Sequence, residues 1–411
     1  MGGFGSLPKT NHMRIIFTLG VLLTALMGYG QATWLQLDSV PAAGRFWAAA
    51  TGNSTHGFAG CGRLQFSGLN NQVSDMYQYE AATGVWTQIP NYPGGVREGI
   101  TAFTIGERIF FAFGSPFIQF TTSVYEYLPE LGEWEQKPDV PGIGFAFSHG
   151  FVIDDTFYIG PENGTNNVYA FNATTETWGQ VAPFPGADRR AQCSFSANGK
   201  GYLGMGMGVF GGVFGDWWQY DPVSDEWTEI ASISPNADQA SATAVSETGF
   251  VYNTGGGTFG GKQLFSYNES TNTWIPDALL PADRIANASV FTIGEKGYLV
   301  FGEQTTSGGN FPSNQLWEFT PGTDFVSESI NDPFGIDVQL LPNGEARLTS
   351  KTMLSNPEIS VYALNGTLIS NKKLGSGYLN CTLDAFPASG LYLVVVQDGS
   401  RVSTHRVVIA K

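Results

Sequence analysis

The sequence predicts an all-β protein, with six similar four-stranded units arranged in a ring and a small β-sandwich after them. Three observations support this fold class: the composition, a repeated aromatic pattern, and a change of pattern near residue 328. Among 411 residues there are 53 glycines, and aromatic and charged residues each make up 14 %. Such a composition favours many short strands joined by tight turns.

Residues 1–32 have the pattern of a secretory signal peptide. Arg14 supplies a positive charge, residues 15–27 form an apolar run, and residues 30–32 form a small-x-small cleavage site. The apolar run is short for a membrane-spanning helix. We therefore expect export, with Met13 as a possible start, and no membrane span, because no later segment is apolar for long enough.

A regular aromatic pattern follows the leader. Tryptophans recur at positions 34, 86, 134, 178, 227 and 274, at intervals of 52, 48, 44, 49 and 47 residues, and Phe325 ends a sixth interval. Nine and seven residues before each closing aromatic lies an aromatic pair: Tyr77/Tyr79, Tyr125/Tyr127, Tyr169/Phe171, Trp218/Tyr220, Phe265/Tyr267 and Trp317/Phe319. A period of this length indicates repeated structural units.

Each unit reads as four strands. One strand starts at the tryptophan, and a small-residue strand such as "ASATAV" follows a proline turn. A glycine-ended aromatic strand and the paired-aromatic strand complete the unit. Small residues suit the crowded axis of a β-propeller, and the aromatics fill the space between sheets. We expect "TWLQL" at the N-terminus to supply the outer strand of the last blade, which removes the open edge of the ring.

These units resemble Kelch repeats. The segments "YNESTNTW", "YDPVSDEW" and "FNATTETW" match the aromatic-to-tryptophan half of that family, although its glycine doublet survives intact only at residues 255–257. The resemblance covers residues 34 to about 327. It implies a six-bladed Kelch-type β-propeller over residues 33–327.

The period stops near residue 328, and residues 328–411 predict a small immunoglobulin-like β-sandwich. The segments "VYALNGTLI" and "SGLYLVVV" and the terminal basic-apolar strand resemble the type A C-terminal sorting domain of the Bacteroidetes type IX secretion system. This resemblance implies the type IX secretion machinery as a partner. It also implies a protein that is secreted or held at the outer-membrane surface after passing through the periplasm. An ordinary immunoglobulin-like binding module is the alternative.

The net charge and the cysteines disfavour some classes of partner and cofactor. The net charge is −16 and the pI about 4.6, which disfavours nucleic acid as a partner. Cys61, Cys193 and Cys381 fall in distant segments, so we expect three separate thiols. Without a Cys/His cluster, we expect no metal and no cofactor. We also expect a monomer.

Five arginines are candidate ligand-binding residues. Arg45, Arg97 and Arg189 stand eleven residues after the tryptophan that opens their unit. Arg190 stands twelve residues after the tryptophan of its unit, and Arg284 stands ten residues after the tryptophan of its own. Ring symmetry predicts that they surround one mouth of the channel, where they would suit an anionic ligand such as a carboxylate-bearing sugar. Bracing of neighbouring loops is the alternative. Acidic and amide residues expected at the same rim are Glu98, Glu162, Asp238, Gln239 and Glu303.

The loops of unequal length are expected on the same side as the arginines. Variable loops on a rigid scaffold commonly carry recognition. The longest are residues 62–77, 206–218 and 302–317. Within the second, Phe210, Phe214 and Trp217 are candidates for an apolar or sugar-stacking surface, or for packing over a blade edge.

His149 lies in a small-residue strand beside the expected channel, either as a structural histidine or as a catalytic one. Two functions follow from these residues. The first is a binding scaffold that recognises a glycan or protein through one propeller face. The second is a metal-independent sugar-acid mutarotase or epimerase similar to the sialate mutarotases of the Kelch group. Its candidate residues are Arg97, Arg189, Glu98 and His149.

Overall fold

The computed structural model describes fourteen ranges of the chain. They are residues 32–67, 71–117, 119–142, 144–161, 164–208, 211–237, 240–254, 261–322, 328–329, 333–340, 345–363, 368–383, 390–399 and 401–409. The leader and the candidates Glu162, Phe210, Asp238 and Gln239 lie outside these residues. All the regular structure in the described ranges is β-strand, and no helix there could cross a membrane.

Six four-stranded antiparallel sheets confirm the predicted propeller architecture. The strands up to the third sheet are β1 Thr33–Leu37, β2 Ala49–Gly52, β3 His56–Gly60, β4 Met76–Glu80, β5 Val85–Ile89, β6 Thr101–Ile105, β7 Arg108–Ala112, β8 Val124–Leu128, β9 Glu133–Lys137, β10 Gly150–Ile153, β11 Thr156–Ile159, β12 Val168–Asn172 and β13 Thr177–Val181. Strands β2–β5, β6–β9 and β10–β13 form the first, second and third sheets.

The remaining three sheets follow the same plan with extra short strands in their loops. Their strands are β14 Arg189–Arg190, β15 Cys193–Ala197, β16 Lys200–Gly204, β17 Met207–Gly208, β18 Trp217–Asp221, β19 Glu226–Ile230, β20 Ser241–Val245, β21 Thr248–Asn253, β22 Gln263–Asn268, β23 Thr273–Leu279, β24 Arg284–Ala286, β25 Ser289–Ile293, β26 Lys296–Val300, β27 Glu303–Thr306, β28 Gly309–Pro312 and β29 Leu316–Thr320. The fourth sheet is β15-β16-β18-β19, the fifth β20–β23, and the sixth β25-β26-β29-β1.

The ring closes as the sequence predicts. Strand β1 pairs antiparallel with β29, Trp34 opposite Phe319, and so forms the outer strand of the sixth sheet. The innermost strands β2, β6, β10, β15, β20 and β25 contact one another in that order, and β25 returns to β2. Each four-stranded sheet is therefore offset by one strand from the sequence repeat. The strand that starts at a unit's tryptophan is the outer strand of the preceding sheet, and the other three strands of the unit form the next sheet.

The repeated tryptophans hold neighbouring sheets together, which explains their regular spacing. The indole Nε1 of Trp134 donates to the carbonyl of Pro90 at 3.0 Å, and that of Trp274 to Ala231 at 2.7 Å. Trp86, Trp178 and Trp227 make equivalent bonds to the preceding sheet. Small residues serve the same packing, since a Cβ at Gly201 would lie 2.0 Å from the ring of Phe151.

Two sheets at the end of the chain share one apolar core. Their strands are β30 Glu328–Ser329, β31 Ile336–Leu340, β32 Ala346–Leu354, β33 Glu358–Ala363, β34 Leu368–Lys373, β35 Gly377–Leu383, β36 Gly390–Asp398 and β37 Arg401–Ile409. The five-stranded sheet has the order β30-β37-β36-β33-β34 and the other the order β31-β32-β35. Leu348 from one sheet and Val394 from the other are fully buried in their common core, as a sandwich requires.

Candidate functional site

The propeller presents two different faces. The connections that enter the inner strands, and those between the second and third strands of each sheet, emerge on one side, which we call the loop face. The short hairpin turns emerge on the other side, which we call the turn face. On the loop face, neighbouring connections form isolated β-bridges: Phe46 with Arg63, Val73 with Arg97, and Glu98 with Ser115. Arg45 and Arg97 lie in these connections, where Arg45 bridges Ser313 and Arg97 bridges Val73.

Four aromatic rings run from a loop tip to the centre of the loop face, and we call them the aromatic track. Phe66 stacks on Phe46 with ring centroids 4.5 Å apart, and Phe46 meets Trp47 at 4.9 Å. Trp47 meets Phe147 edge to face at 5.1 Å. Phe66 is 45 % exposed and Trp47 and Phe147 are partly exposed, whereas Phe46 is buried and supports them.

An unusual backbone conformation brings the track to the mouth of the channel. Trp47, Gly99 and Phe147 occupy the same place in successive units, with φ of 53°, 60° and 57°. The Gly99 N–H donates to the Trp47 carbonyl at 2.9 Å, and the Phe147 N–H donates to the Gly99 carbonyl at 2.8 Å. A Cβ on Gly99 would lie 2.6 Å from Phe147. Glycine therefore makes room between two bulky left-handed residues, and the same conformation at Ala191 and Asn287, with φ of 53° and 51°, shows that it belongs to the repeat.

Further apolar side chains are exposed around the same face. Besides Phe66, the loops expose Val96, Phe117, Val213 and Phe311, each by 39–51 % of its surface. Exposed apolar groups on one face of a soluble domain commonly mark an interaction surface. Hairpin turns on the turn face also expose Val85, Leu131 and Val223, by 54–93 %, so apolar exposure alone does not single out the loop face.

A buried carboxylate lies close to the track. Glu98 is 4 % exposed, and its Oε2 accepts a hydrogen bond from Arg63 at 3.3 Å. Burial raises the pKa of Glu98, although Arg63 and Gln72 act to lower it. The Arg63–Glu98 pair supplies hydrogen-bonding groups beside the rings Phe46 and Phe66, because Arg63 forms a backbone bridge with Phe46.

Arg45 and Arg189 form structural ion pairs. This matches the alternative given for the arginines in the sequence analysis, in which they stabilise neighbouring loops and do not bind a ligand. Each is 1 % exposed, so neither presents its guanidinium to solvent at the mouth. Arg45 binds both carboxylate oxygens of Asp75 at 2.7 and 2.9 Å, and Arg189 binds both of Asp216 at 2.7 Å. Burial acts to raise the pKa of each aspartate, but the hydrogen bonds from arginine outweigh it and hold both values low.

The remaining candidate residues differ in their burial and in their contacts. Arg97 is partly buried and Arg190 is exposed, while Arg284 donates to the Thr254 carbonyl at 3.0 Å. Trp217 is completely buried against Phe195 and Trp274, so it packs in the core and cannot stack on a ligand. Phe214 lies over the guanidinium of Arg189 at 4.3 Å. Asp238 lies outside the described residues.

The central channel contains a second candidate site. A cavity of about 350 Å³ lies among the inner strands, and its walls include serine, threonine and His149. Thr51 bonds Thr104, and Thr243 bonds Thr292, both at 2.8 Å. In the described part of the chain His149 makes no hydrogen bond, and its side chain is exposed to the lumen. Surrounding protein desolvates this imidazole and lowers its pKa to about 4, so it is neutral at pH 7.

The six four-stranded sheets define a six-bladed β-propeller. No protein-family model matches the chain. It is 31 % identical over 133 residues to the N-acetylneuraminate epimerase of Pasteurella multocida, which is 29 % of this chain and 33 % of that protein. It is 29 % identical to the Kelch-like protein terF of Aspergillus terreus, over 38 % of this chain and 40 % of that protein.

Other relatives match a larger share of the ring. The N-acetylneuraminate epimerase of Haemophilus influenzae is 25 % identical over 214 residues, 40 % of this chain and 55 % of its own. The chain thus spans a third to just over half of the length of these relatives. The structure of YjhT superposes with a TM-score of 0.55, covering 67 % of this chain and 95 % of YjhT at 14 % identity, which shows a shared fold alone.

One feature of the sequence could have indicated the aromatic track, although the repeat pattern alone does not explain it. Trp47 and Phe147 stand thirteen residues after an opening tryptophan, where the other units have Gly99, Ala191, Ala240 and Asn287. Two large aromatics at a position otherwise held by small or polar residues depart from the repeat. The contact between Trp47 and Phe147 depends on how the propeller arranges neighbouring units, so the sequence alone does not predict it.

Proposed function

We propose that the protein is a binding scaffold that recognises a carbohydrate through the aromatic track on its loop face. The observation that carries this proposal is the run of four rings from Phe66 to Phe147 beside the Arg63–Glu98 pair. Partly exposed rings offer flat apolar surfaces to the C–H faces of a sugar, and the neighbouring charged pair offers hydrogen bonds to its hydroxyls. Placing these groups on loops supported by a rigid ring favours recognition.

A glycan array probed with the full chain tests this proposal. We expect binding to a defined set of glycans, and a loss of at least about tenfold in Trp47→Ala and in Phe66→Ala, equivalent to about 1.4 kcal/mol. Phe311→Ala is the matched control, because Phe311 is 51 % exposed on the same face but outside the track. Equal losses in all three variants, or no glycan bound by the unaltered protein, would contradict the proposal.

The channel supports a second candidate function, a sugar epimerase or mutarotase. Two observations favour it: several similar proteins are named N-acetylneuraminate epimerase, and His149 is a neutral imidazole exposed to a polar cavity. A neutral imidazole can accept a proton from a sugar carbon or hydroxyl and return it, which is the chemistry of epimerisation and ring opening. Cavities of about 300–1,000 Å³ hold small ligands.

Nuclear magnetic resonance of N-acetylneuraminate distinguishes the two functions. An enzyme would accelerate the exchange of anomers or epimers in proportion to its concentration. His149→Ala should then reduce the rate by about 10²–10⁴-fold, while Trp47→Ala should leave the chemical step in place. A binding scaffold would leave the exchange rate at its uncatalysed value while retaining array binding.

We also propose that the C-terminal sandwich directs export of the propeller to the cell surface through a type IX secretion system. The leader-like residues 1–32 and the sorting-domain-like segments in residues 328–411 support this. In a host with that system, the full chain should reach the surface or the medium. Removal of residues 328–411 should leave the propeller in the periplasm, and surface delivery without the tail would contradict the proposal.

A further inference from the structure

An arginine recurs at one position in the propeller, and the backbone around it is repeated as well. The carbonyl of Arg45 accepts a hydrogen bond from the N–H of Gly302 at 2.7 Å, and that of Arg97 accepts one from Gly62 at 2.7 Å. Each of these glycines ends the equivalent strand of the preceding sheet. Arg189 stands at the corresponding place in the fourth unit. The three arginines can therefore be compared as members of one repeated structure.

In the first and fourth units, an aspartate from the same unit completes this structure. Asp75 and Asp216 each lie two residues before the aromatic pair and bind the arginine through both carboxylate oxygens. A neighbouring side chain donates a third bond at 2.9 Å, from the Tyr77 hydroxyl to Asp75 and from the Trp218 indole to Asp216. The repeated structure is thus a carboxylate site that the chain fills with its own side chain.

The second unit has the arginine but not the carboxylate. Ser123 stands where Asp75 and Asp216 stand in their units, and Tyr125 stands where Tyr77 does. Among the described residues Arg97 forms no ion pair, and its only side-chain hydrogen bond goes from Nη1 to the adjacent Val96 carbonyl at 3.1 Å. We call Arg97, Tyr92, Ser123 and Tyr125 the arginine socket.

Three buried polar atoms of the arginine socket make no hydrogen bond in the described structure. They are Nε of Arg97, the hydroxyl of Tyr92 and the hydroxyl of Ser123. Tyr92 is only 2 % exposed, and its ring lies 5.3 Å from that of Tyr125. Buried polar atoms that are left unpaired destabilise the folded state.

We propose that the arginine socket binds a carboxylate group supplied by a small-molecule ligand. The guanidinium of Arg97 and the hydroxyls of Tyr92 and Ser123 are the donors that such a group requires, and two other units show a carboxylate held at the same position. Arg97 is partly exposed on the loop face, so part of its side chain is reached from solvent, while the hydroxyls of Tyr92 and Ser123 are buried. Planar, two-pronged binding to arginine favours a carboxylate over a spherical anion.

Thermal unfolding of the full chain in sodium acetate tests the proposal, with sodium chloride at equal ionic strength as the reference. Ligands that bind the folded state raise the unfolding midpoint, and we expect a rise of about 1–3 °C in acetate relative to chloride. Glucuronate and N-acetylneuraminate should give at least the same rise, and glucose none. A larger rise with the sugar acids than with acetate identifies a sugar acid as the source of the carboxylate. Equal responses to chloride and acetate would overturn the proposal.

Two reciprocal substitutions make the test specific to the arginine socket. Ser123→Asp supplies the missing internal carboxylate, so it should abolish the response to acetate. Asp75→Ser creates a second socket at Arg45, so it should lower the unfolding midpoint and make the protein more responsive to acetate than the unaltered chain. If Ser123→Asp does not fold, Arg97→Gln serves instead and should also abolish the response.

A response to acetate that survives both Ser123→Asp and Arg97→Gln would overturn the proposal. This result is separable from the proposed carbohydrate recognition. Acetate binding reports on the arginine socket alone, whereas array binding that depends on Trp47 and Phe66 reports on the aromatic track.

Discussion

The turn face and the loop face of the propeller both carry basic residues that recur from sheet to sheet, and the two faces differ at Arg97. On the turn face, a basic residue at the start of the second strand pairs with an acidic residue of the third strand in the same sheet. Arg108 pairs with Glu126 and Lys296 with Glu318, both at 2.7 Å, and Lys200 pairs with Asp221. On the loop face Arg45 and Arg189 are paired with aspartates in the same way, whereas Arg97 meets no described carboxylate. Charges satisfied within a sheet stabilise the scaffold, and groups left unpaired are available for ligands.

Removal of Glu126 should have the largest effect on stability. Glu126 is 5 % exposed and pairs with both Arg108 and Lys137, and the side chain of Lys137 is itself only 6 % exposed. Glu126→Ala leaves these charges less well compensated and should reduce the free energy of unfolding by about 3 kcal/mol, measured by chemical denaturation. The matched control is Glu135→Ala, because Glu135 also pairs with Lys137 but is 56 % exposed, and about 0.5 kcal/mol is expected. Similar costs in both variants would contradict the assigned role of burial.

A pair of glycines compares the two faces directly. Gly99 on the loop face and Gly106 on the turn face both have φ of 60°, but only at Gly99 would a Cβ meet another side chain, that of Phe147. Gly106→Ala should cost about 1 kcal/mol for its left-handed conformation alone. Gly99→Ala should cost about 2 kcal/mol and also weaken glycan binding, because it displaces Phe147. Equal costs, with binding intact, would show that Phe147 moves freely.

His149 lies in the channel that joins the two faces, and its substitution should have the smallest effect on stability. Its folded pKa of about 4 lies below the value of about 6.5 expected in the unfolded chain. The unfolded state therefore binds more protons between these values, so this contribution is full above pH 6.5 and is lost as the pH falls toward 4. His149→Gln should show a shallower loss of unfolding midpoint between pH 7 and pH 5. An unchanged slope would indicate a fully hydrated imidazole.

The ring was predictable from sequence because its determinants lie at fixed spacings. The tryptophans at regular intervals donate to the preceding sheet, so the interval itself records the packing. The pairing of β1 with β29 followed from counting one more tryptophan strand than other strands. Asp75 and Asp216 stand at a fixed place, two residues before the aromatic pair, but loops of different length separate them from Arg45 and Arg189, so their pairing was not evident from spacing along the chain. The aromatic track was harder to predict because the contact between Trp47 and Phe147 joins two separate units, and spacing along the chain does not give that contact.

The pairing of Thr33 with Thr320 sets the order in which this chain can acquire its structure. The first strand of the described residues has its partner almost three hundred residues away, so the sixth sheet can be completed only after β29 has been synthesised, however early the other five form. Contacts this distant in sequence make folding slow. Until β1 docks, β29 presents an unpaired edge that can recruit another chain. A circular permutant that carries residues 32–38 after residue 322 would fold without this delay.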